Sequence, residues 1–218
     1  MSDPLETPIV LATANPKKIS ELSAIFARVG LGVIPLSDLA TQTNEPDETG
    51  HAFEDNAAIK AVSYAKQTGR FCLADDSGLE VDALGGAPGV ISSHYCTDGV
   101  ETGMSRDERD RANNDKLLRE LGDRPLADRT ARFVCVMVLA SPDGRIHAIS
   151  RGTLEGAIGP SADVPRGSNG FGYDPLFLVA PDYDQTSAEL DSDTKNACSH
   201  RGDAARSIAE AIAEMAKQ

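Results

Sequence analysis

The feature that most constrains this chain is an arrangement repeated through its first half: a short apolar run, a polar turn, then an apolar stripe at helical spacing. Residues 8–12 (PIVLA) read as a strand and 13–16 (TANP) as a turn, after which Ile19, Leu22, Ile25, Phe26 and Val29 recur along one helix face until Gly30 stops it. Residues 32–36 give a second strand, and 52–66 a second helix closed by Gly69. Strands that alternate with helices return across a sheet face, which is the signature of an α/β fold. Residues 71–74 form a short buried strand predicted to end at the polar Asp75-Asp76-Ser77-Gly78. A helix over 106–121, stopped by Gly122, precedes strands at 130–140 and 145–158 joined by a Pro142-Asp143-Gly144 turn, so the sheet is expected to be mixed. A Gly/Pro/Ser-rich loop over 159–170, a short strand beyond Pro175 and a helix over 200–217 complete the reading. With no internal repeat or low-complexity linker, 218 residues are expected to form one domain.

Charge and cysteine usage exclude several functions. A net charge of −13 argues against DNA or RNA binding, which needs a basic surface to displace counterions. A triphosphate is a different matter, because a few local lysines and a divalent cation can hold it on an acidic protein. The four cysteines, Cys72, Cys96, Cys135 and Cys198, show no C-x-x-C pair, so neither a disulfide framework nor a zinc site is expected. The first six residues lack the basic and apolar regions of a signal peptide, and the longest aliphatic run, 133–140, is too short to span a bilayer. A soluble, cytoplasmic protein is the expectation.

In α/β sheets ligands bind where strands end, so polar residues after a buried strand come first as candidates. Thr13, Asn15 and Lys18 offer a hydroxyl, an amide and an ammonium at a helix N-terminus, suited to phosphate. Read by themselves, Thr13 and Asn15 are turn and cap residues and Lys18 a solvated helix lysine. Asp75 and Asp76 could ligand Mg²⁺ and polarise a water, or form a turn before Gly78. On extended chain the two point oppositely, so only one faces a metal. Glu48 precedes the second helix, and Asn56 and Lys60 lie one turn apart within it. The segment 83–89 is glycine-rich but is not a Walker A loop, since no G-K-[ST] follows. Phe171, Gly172, Tyr173 and Asp174 combine ring, freedom and carboxylate for stacking and orienting a base, with core packing the simpler reading for Tyr173. Lys195, Ser199, His200 and Arg201 bring donors to the start of the last helix, where His200 could serve as a cap and Arg201 as a surface ion-pair partner.

The stretches LATANPKK, ETGHAFEDNAAIKA, LADDSGLEVDALGGAPGV, GFGYDPLF and KNACSHRGDA, in this order, resemble the inosine triphosphate pyrophosphatase family, the RdgB-like noncanonical purine NTP (dITP/XTP) pyrophosphatases, across essentially the whole chain. The resemblance implies an elongated mixed sheet flanked by helices, a single pyrophosphatase domain over 1–218 in two lobes with a central nucleotide cleft, and a homodimer. It also implies roles: Thr13, Asn15, Lys18 and Lys60 for the triphosphate, Glu48 and Asp76 for the metal, with Asp76 as proton acceptor. Ser77 is implied as a substrate contact, and Phe171, Gly172, Tyr173, Asp174, Lys195, His200 and Arg201 as the residues around the base. This chain departs from the family at Ser92-Ser93-His94-Tyr95, where His94 stands in place of a frequent arginine, and at Ala14, where glycine or serine is common.

The reaction so implied is hydrolysis of ITP, dITP or XTP to the monophosphate and pyrophosphate. Its main demand is stabilising negative charge on the departing pyrophosphate, a task for Mg²⁺ with Lys18 and Lys60. A donor such as Arg201 near purine position 2 would donate to xanthine's oxygen, tolerate hypoxanthine's hydrogen and oppose guanine's amino group. A pyrophosphatase of another base preference, such as a modified pyrimidine, and a non-catalytic nucleotide-binding module are the competing expectations.

Overall fold

The computed structural model describes residues 8–28 and 30–215. Val29 and Lys217, assigned to helices from sequence, lie outside the described residues. The elements follow as β1 (Ile9–Leu11), α1 (Pro16–Arg28), β2 (Val33–Pro35), α2 (Phe53–Thr68), β3 (Cys72–Val81), α3 (Arg106–Leu121), β4 (Thr130–Ala140), β5 (Ile146–Ile158), β6 (Phe177–Val179), α4 (Ser192–Cys198) and α5 (His200–Met215). Six strands form one sheet in the order β2-β1-β3-β4-β5-β6. β1 pairs in parallel with β2 and β3, whereas β5 and β6 are antiparallel, so the sheet is mixed and the chain is an α/β protein.

Local chemistry sets the element ends. Pro16 opens α1 at a position whose N–H needs no partner, and the Asn15 side chain accepts the Lys17 N–H at 3.1 Å. Gly69, at φ 67°, takes the left-handed conformation that closes α2. α3 starts with a capping box in which Ser105 and Glu108 satisfy each other's backbone N–H groups. Sequence reading missed α4 and the 3₁₀ segment Gly89–Thr97, both too short for a periodic stripe to stand out.

The chain divides into two compact units: residues 1–76, 135–152 and 199–218 in the first, 77–134 and 153–198 in the second. In the first, Ile9 and Leu11 of β1, Leu22, Ile25 and Phe26 of α1, Cys135, Met137 and Leu139 of β4, and Ala204, Ala205, Ile208 and Ile212 of α5 form one buried cluster. In the second, Leu79 and Val81 of β3, Leu117 and Leu121 of α3, and Leu154, Tyr173, Leu176 and Phe177 form another. Each fully buried Leu, Ile or Phe contributes roughly 1.5–3 kcal/mol by leaving water. Among the described residues no helix is long and apolar enough to cross a membrane.

Candidate functional site

β3 does not stop at Asp75 as the sequence predicts; it runs on through Asp76 and Ser77 to Val81. The apolar pattern breaks there while the backbone stays extended, because lysines from two helices replace apolar partners for the carboxylates. Successive strand residues face opposite ways, and these two do. Lys18 of α1 donates to Asp75 Oδ2 at 2.7 Å, whereas Lys60 of α2 donates to Asp76 Oδ1 at 3.0 Å. α1 and α2 therefore lie on opposite faces of the strand, and the turn reading of Asp75-Asp76-Ser77-Gly78 is excluded.

Asp75 is sealed in, its side chain 2% exposed, and Lys18 beside it is itself largely buried rather than a solvated helix lysine. Burial alone would raise the Asp75 carboxyl, but Lys18, Lys60 and Arg201 outweigh it and hold the group well below the usual carboxylate range. Asp76 goes the other way: burial, with Glu48 adding to it, raises its carboxyl against the pull of Lys60 and Lys18. Lys60 is stabilised as an ammonium because Asp76, Asp75 and Glu48 more than offset its desolvation.

Glu48 Oε2 accepts from the same Lys60 Nζ at 3.1 Å, so the carboxylates of Glu48 and Asp76 converge on one nitrogen. The loop carrying Glu48 is fixed by Asn56, whose Oδ1 accepts the Gly50 N–H at 2.8 Å. Gly50 is required there, since a Cβ would lie 2.6 Å from Asn56 Oδ1 and also strike Asp55.

The donor set fits Mg²⁺. Asp76 Oδ2 is buried with no hydrogen-bond partner among the described residues, and both candidate ligands are hard oxygen donors. Among the described residues no three His, Cys, Asp or Glu side chains gather as a metal-binding group. Two carboxylates suffice for an ion that keeps several waters and takes its remaining ligands from phosphate.

Thr13 and Asn15 serve the backbone: the Asn15 N–H donates to Thr13 Oγ1 at 3.2 Å, and Asn15 caps α1. At the start of α5 the cap is Ser199, whose Oγ accepts the Gly202 N–H at 3.0 Å, and not His200. His200 and Arg201 are both buried within the first turn. Arg201 Nη1 meets Glu21 Oε2 at 3.3 Å, so it is a buried ion-pair member instead of a surface one. Sequence reading missed Glu21, although its place three residues after Lys18 puts both on one face of α1.

In the second unit Asp174 is the hub. Its Oδ2 accepts the Phe171 N–H and the Lys195 ammonium, both at 2.8 Å, and its Oδ1 accepts the Ser187 hydroxyl at 2.8 Å. Gly170, at φ +81°, leaves no room for a Cβ, which would lie 2.5 Å from Lys195 Nζ. Tyr173 belongs to the core and donates its hydroxyl to the Ser92 carbonyl at 2.8 Å, while Phe171 stays half-buried. Ser77 is half-buried in β3. His94 engages Ser93 Oγ and Glu101 Oε2, each at 2.8 Å.

The first unit thus gathers Thr13, Asn15, Lys18, Glu48, Lys60, Asp76, His200 and Arg201, and the second gathers Phe171, Gly172, Tyr173, Asp174 and Lys195. Comparison with known proteins agrees in coverage and fold. A protein of Nitratidesulfovibrio vulgaris called dITP/XTP pyrophosphatase is 50% identical over 93% of this chain and 94% of its own length. One of the same name from Exiguobacterium sibiricum is 46% identical over 94% of this chain and 96% of its own. The solved HAM1 protein from Coxiella burnetii superposes with a TM-score of 0.78 at 39% identity, covering 95% of this chain and 98% of that one. Since the Ham1 family's sequence model matches residues 9–211, nearly the whole of these two units, the chain belongs to the Ham1 family.

Proposed function

We propose that the protein hydrolyses deaminated purine nucleoside triphosphates, ITP, dITP and XTP, to the monophosphate and pyrophosphate. The observation that carries this reading is Lys60 joining Glu48 to Asp76 on a strand whose neighbouring residue, Asp75, holds Lys18. The relatives' names, dITP/XTP pyrophosphatase, support the same substrate class.

Lys18 and Lys60 bind the triphosphate, with the backbone turn at Thr13 and Asn15 beside the first of them. Asp76, its carboxyl raised by burial, accepts the proton of the attacking water. Asp76 and Glu48 would hold Mg²⁺, which when bound would supply further neutralisation of charge on the pyrophosphate leaving group. Phe171 stacks the base, and Lys195, anchored by Asp174, donates toward its 6-oxo group, where adenine presents a donor instead. In the first unit His200 contacts substrate and Arg201, oriented by Glu21, opposes guanine's amino group, and in the second Ser77 contacts substrate. The protein works as a cytoplasmic homodimer in this reading, which light scattering on the purified protein tests.

The deciding experiment is pyrophosphate release from ITP, dITP, XTP, GTP, ATP and dUTP, with and without Mg²⁺. Turnover should favour the first three, require the cation, and vanish in Asp76→Asn while ITP binding persists. Preference for dUTP would move the assignment to another base, binding without release would mean a non-catalytic module, and near-normal turnover in Asp76→Asn would reject the role of that residue.

A further inference from the structure

One face of α3 is committed to the loop that carries Phe171. Arg106, Asp110 and Asn114 stand at successive four-residue steps and so form a row along the helix. The Arg106 guanidinium carbon lies 4.9 Å from the centre of the Phe171 ring. Asp110 Oδ2 accepts the Gly172 N–H at 3.0 Å, and Asn114 Nδ2 donates to the Gly172 carbonyl at 3.1 Å. Both polar groups of one peptide residue are thereby read from a single rigid element. All three side chains are absent from the motifs that suggested a nucleotide site.

The grip falls on a glycine in a left-handed conformation. Gly172 sits at φ 63°, and a Cβ there would meet nothing within 4 Å. Asp174 fixes the Phe171 amide from inside the loop, but Gly172 depends on α3. Phe171 is half-buried, with a cation from α3 against its ring, the arrangement in which an aromatic plane is both oriented and electrostatically loaded. Among the described residues no carboxylate lies within ion-pair distance of Arg106, and its Nε is buried without a hydrogen-bond partner. The contact with Phe171 is therefore its principal interaction.

We infer that Arg106, Asp110 and Asn114 are positioning residues for base recognition: they hold the Phe171-Gly172 peptide in the one conformation that presents the ring to a purine. This rests on the pyrophosphatase reading above. A loop released from α3 still carries every residue proposed to touch the base, but samples several ring positions, so substrate binding and base discrimination suffer while the hydrolytic step does not.

The test compares Asp110→Ala, Asn114→Ala and Asp110→Asn with the unaltered protein. In Asp110→Ala the KM for ITP should rise about tenfold, the equivalent of one lost hydrogen bond to an ordered peptide, with kcat within about twofold. The ITP-to-GTP ratio of kcat/KM should fall as well. Asn114→Ala should act likewise, and Asp110→Asn, which keeps an acceptor oxygen, should restore most of the loss. Amide hydrogen exchange at 170–174 should quicken in the two alanine variants without a matching change at β4. An unchanged KM and base ratio, a fall in kcat alone, or unaltered exchange would each overturn the inference. Should the unaltered protein release no pyrophosphate from ITP, the functional reading fails, and the exchange data together with ITP dissociation constants still judge the grip on Gly172.

Discussion

Replacing Lys18 should lower the stability of the fold through Asp75, apart from any loss of triphosphate binding. Asp75 is 2% exposed and Lys18 16%, with 2.7 Å between nitrogen and oxygen, so Lys18→Met leaves a carboxylate in the interior without its nearest cation. Breaking a buried pair from one side costs about 3–5 kcal/mol. Lys60 and Arg201 also act on Asp75, which puts the loss at the lower end, about 3 kcal/mol. For a chain of this size each kcal/mol moves Tm by about 2–4 °C, so melting should come roughly 6–12 °C earlier. The chain has no tryptophan, and far-UV circular dichroism is the natural readout. Adding Asp75→Asn to Lys18→Met removes the stranded charge and should recover at least half of the loss. The pH sign follows from the depressed Asp75 carboxyl. Its stabilisation is present above the unfolded value of about 3.9 and disappears as pH falls toward the lower folded value, so the gap between the unaltered protein and Lys18→Met should narrow in acid. A Tm shift below about 2 °C, or a double variant that melts below Lys18→Met, would refute the reasoning.

Gly50→Ala should push the Glu48 loop off Asn56 and raise the Mg²⁺ concentration needed for half-maximal activity roughly tenfold, as loss of a ligand-orienting contact does; a Mg²⁺ titration, with Mn²⁺ binding followed by electron paramagnetic resonance, measures it. A thiol reagent should label exposed Cys198 in the native protein and leave Cys72 and Cys135 until denaturation, since both are buried and the Cys72 thiol is pushed up by burial to about 11. Because the fold favours the protonated Cys72, its contribution is complete below the unfolded thiol value of about 8.5 and declines as pH rises toward 11, which melts between pH 8 and 11 would record. Arg129 is wholly buried and donates to the carbonyls of Ile158, Gly122 and Gly159 at 2.7, 2.9 and 3.0 Å, so Arg129→Met should cost at least about 3 kcal/mol in urea unfolding.

The elements visible in the sequence were those whose stripe or cap is local. The helix expected over 106–121 occurs with those bounds because a capping box and a terminal glycine delimit it, and the strand at 130–140 because the apolar run 133–140 within it buries both faces. β3 was cut short for the converse reason. Apolar pattern reports burial, and Asp75 and Asp76 are buried by ion pairs made with residues 57 and 16 positions away. Separation in sequence also hides Glu21 with Arg201, 180 positions apart, and the hold of Asp110 and Asn114 on Gly172, since nothing near Gly172 announces a helix about sixty residues earlier. Residue types at the candidate site were legible, but which carboxylate served which lysine was not.

That last distinction separates structure from chemistry at this strand. Two aspartates adjacent in sequence meet opposite fates because strand alternation sends them to different helices. Asp75 faces Lys18 with Arg201 acting on it as well, which pins it as an anion and makes it a fixed counter-charge for the helix that begins at the Thr13 turn. Asp76 shares a single ammonium with Glu48, is raised by burial, and keeps one buried oxygen without a hydrogen-bond partner among the described residues. A group in that condition is stabilised by an added cation, which supplies the positive charge its surroundings lack and gives the second oxygen a ligand. Adjacent carboxyls pushed in opposite directions are how one fold assigns separate tasks to identical side chains. Exchanging the two roles would require moving Lys18 and Lys60 between helices on opposite faces of the strand, which is why Asp75→Asn and Asp76→Asn should fail differently, the first in stability and the second in turnover.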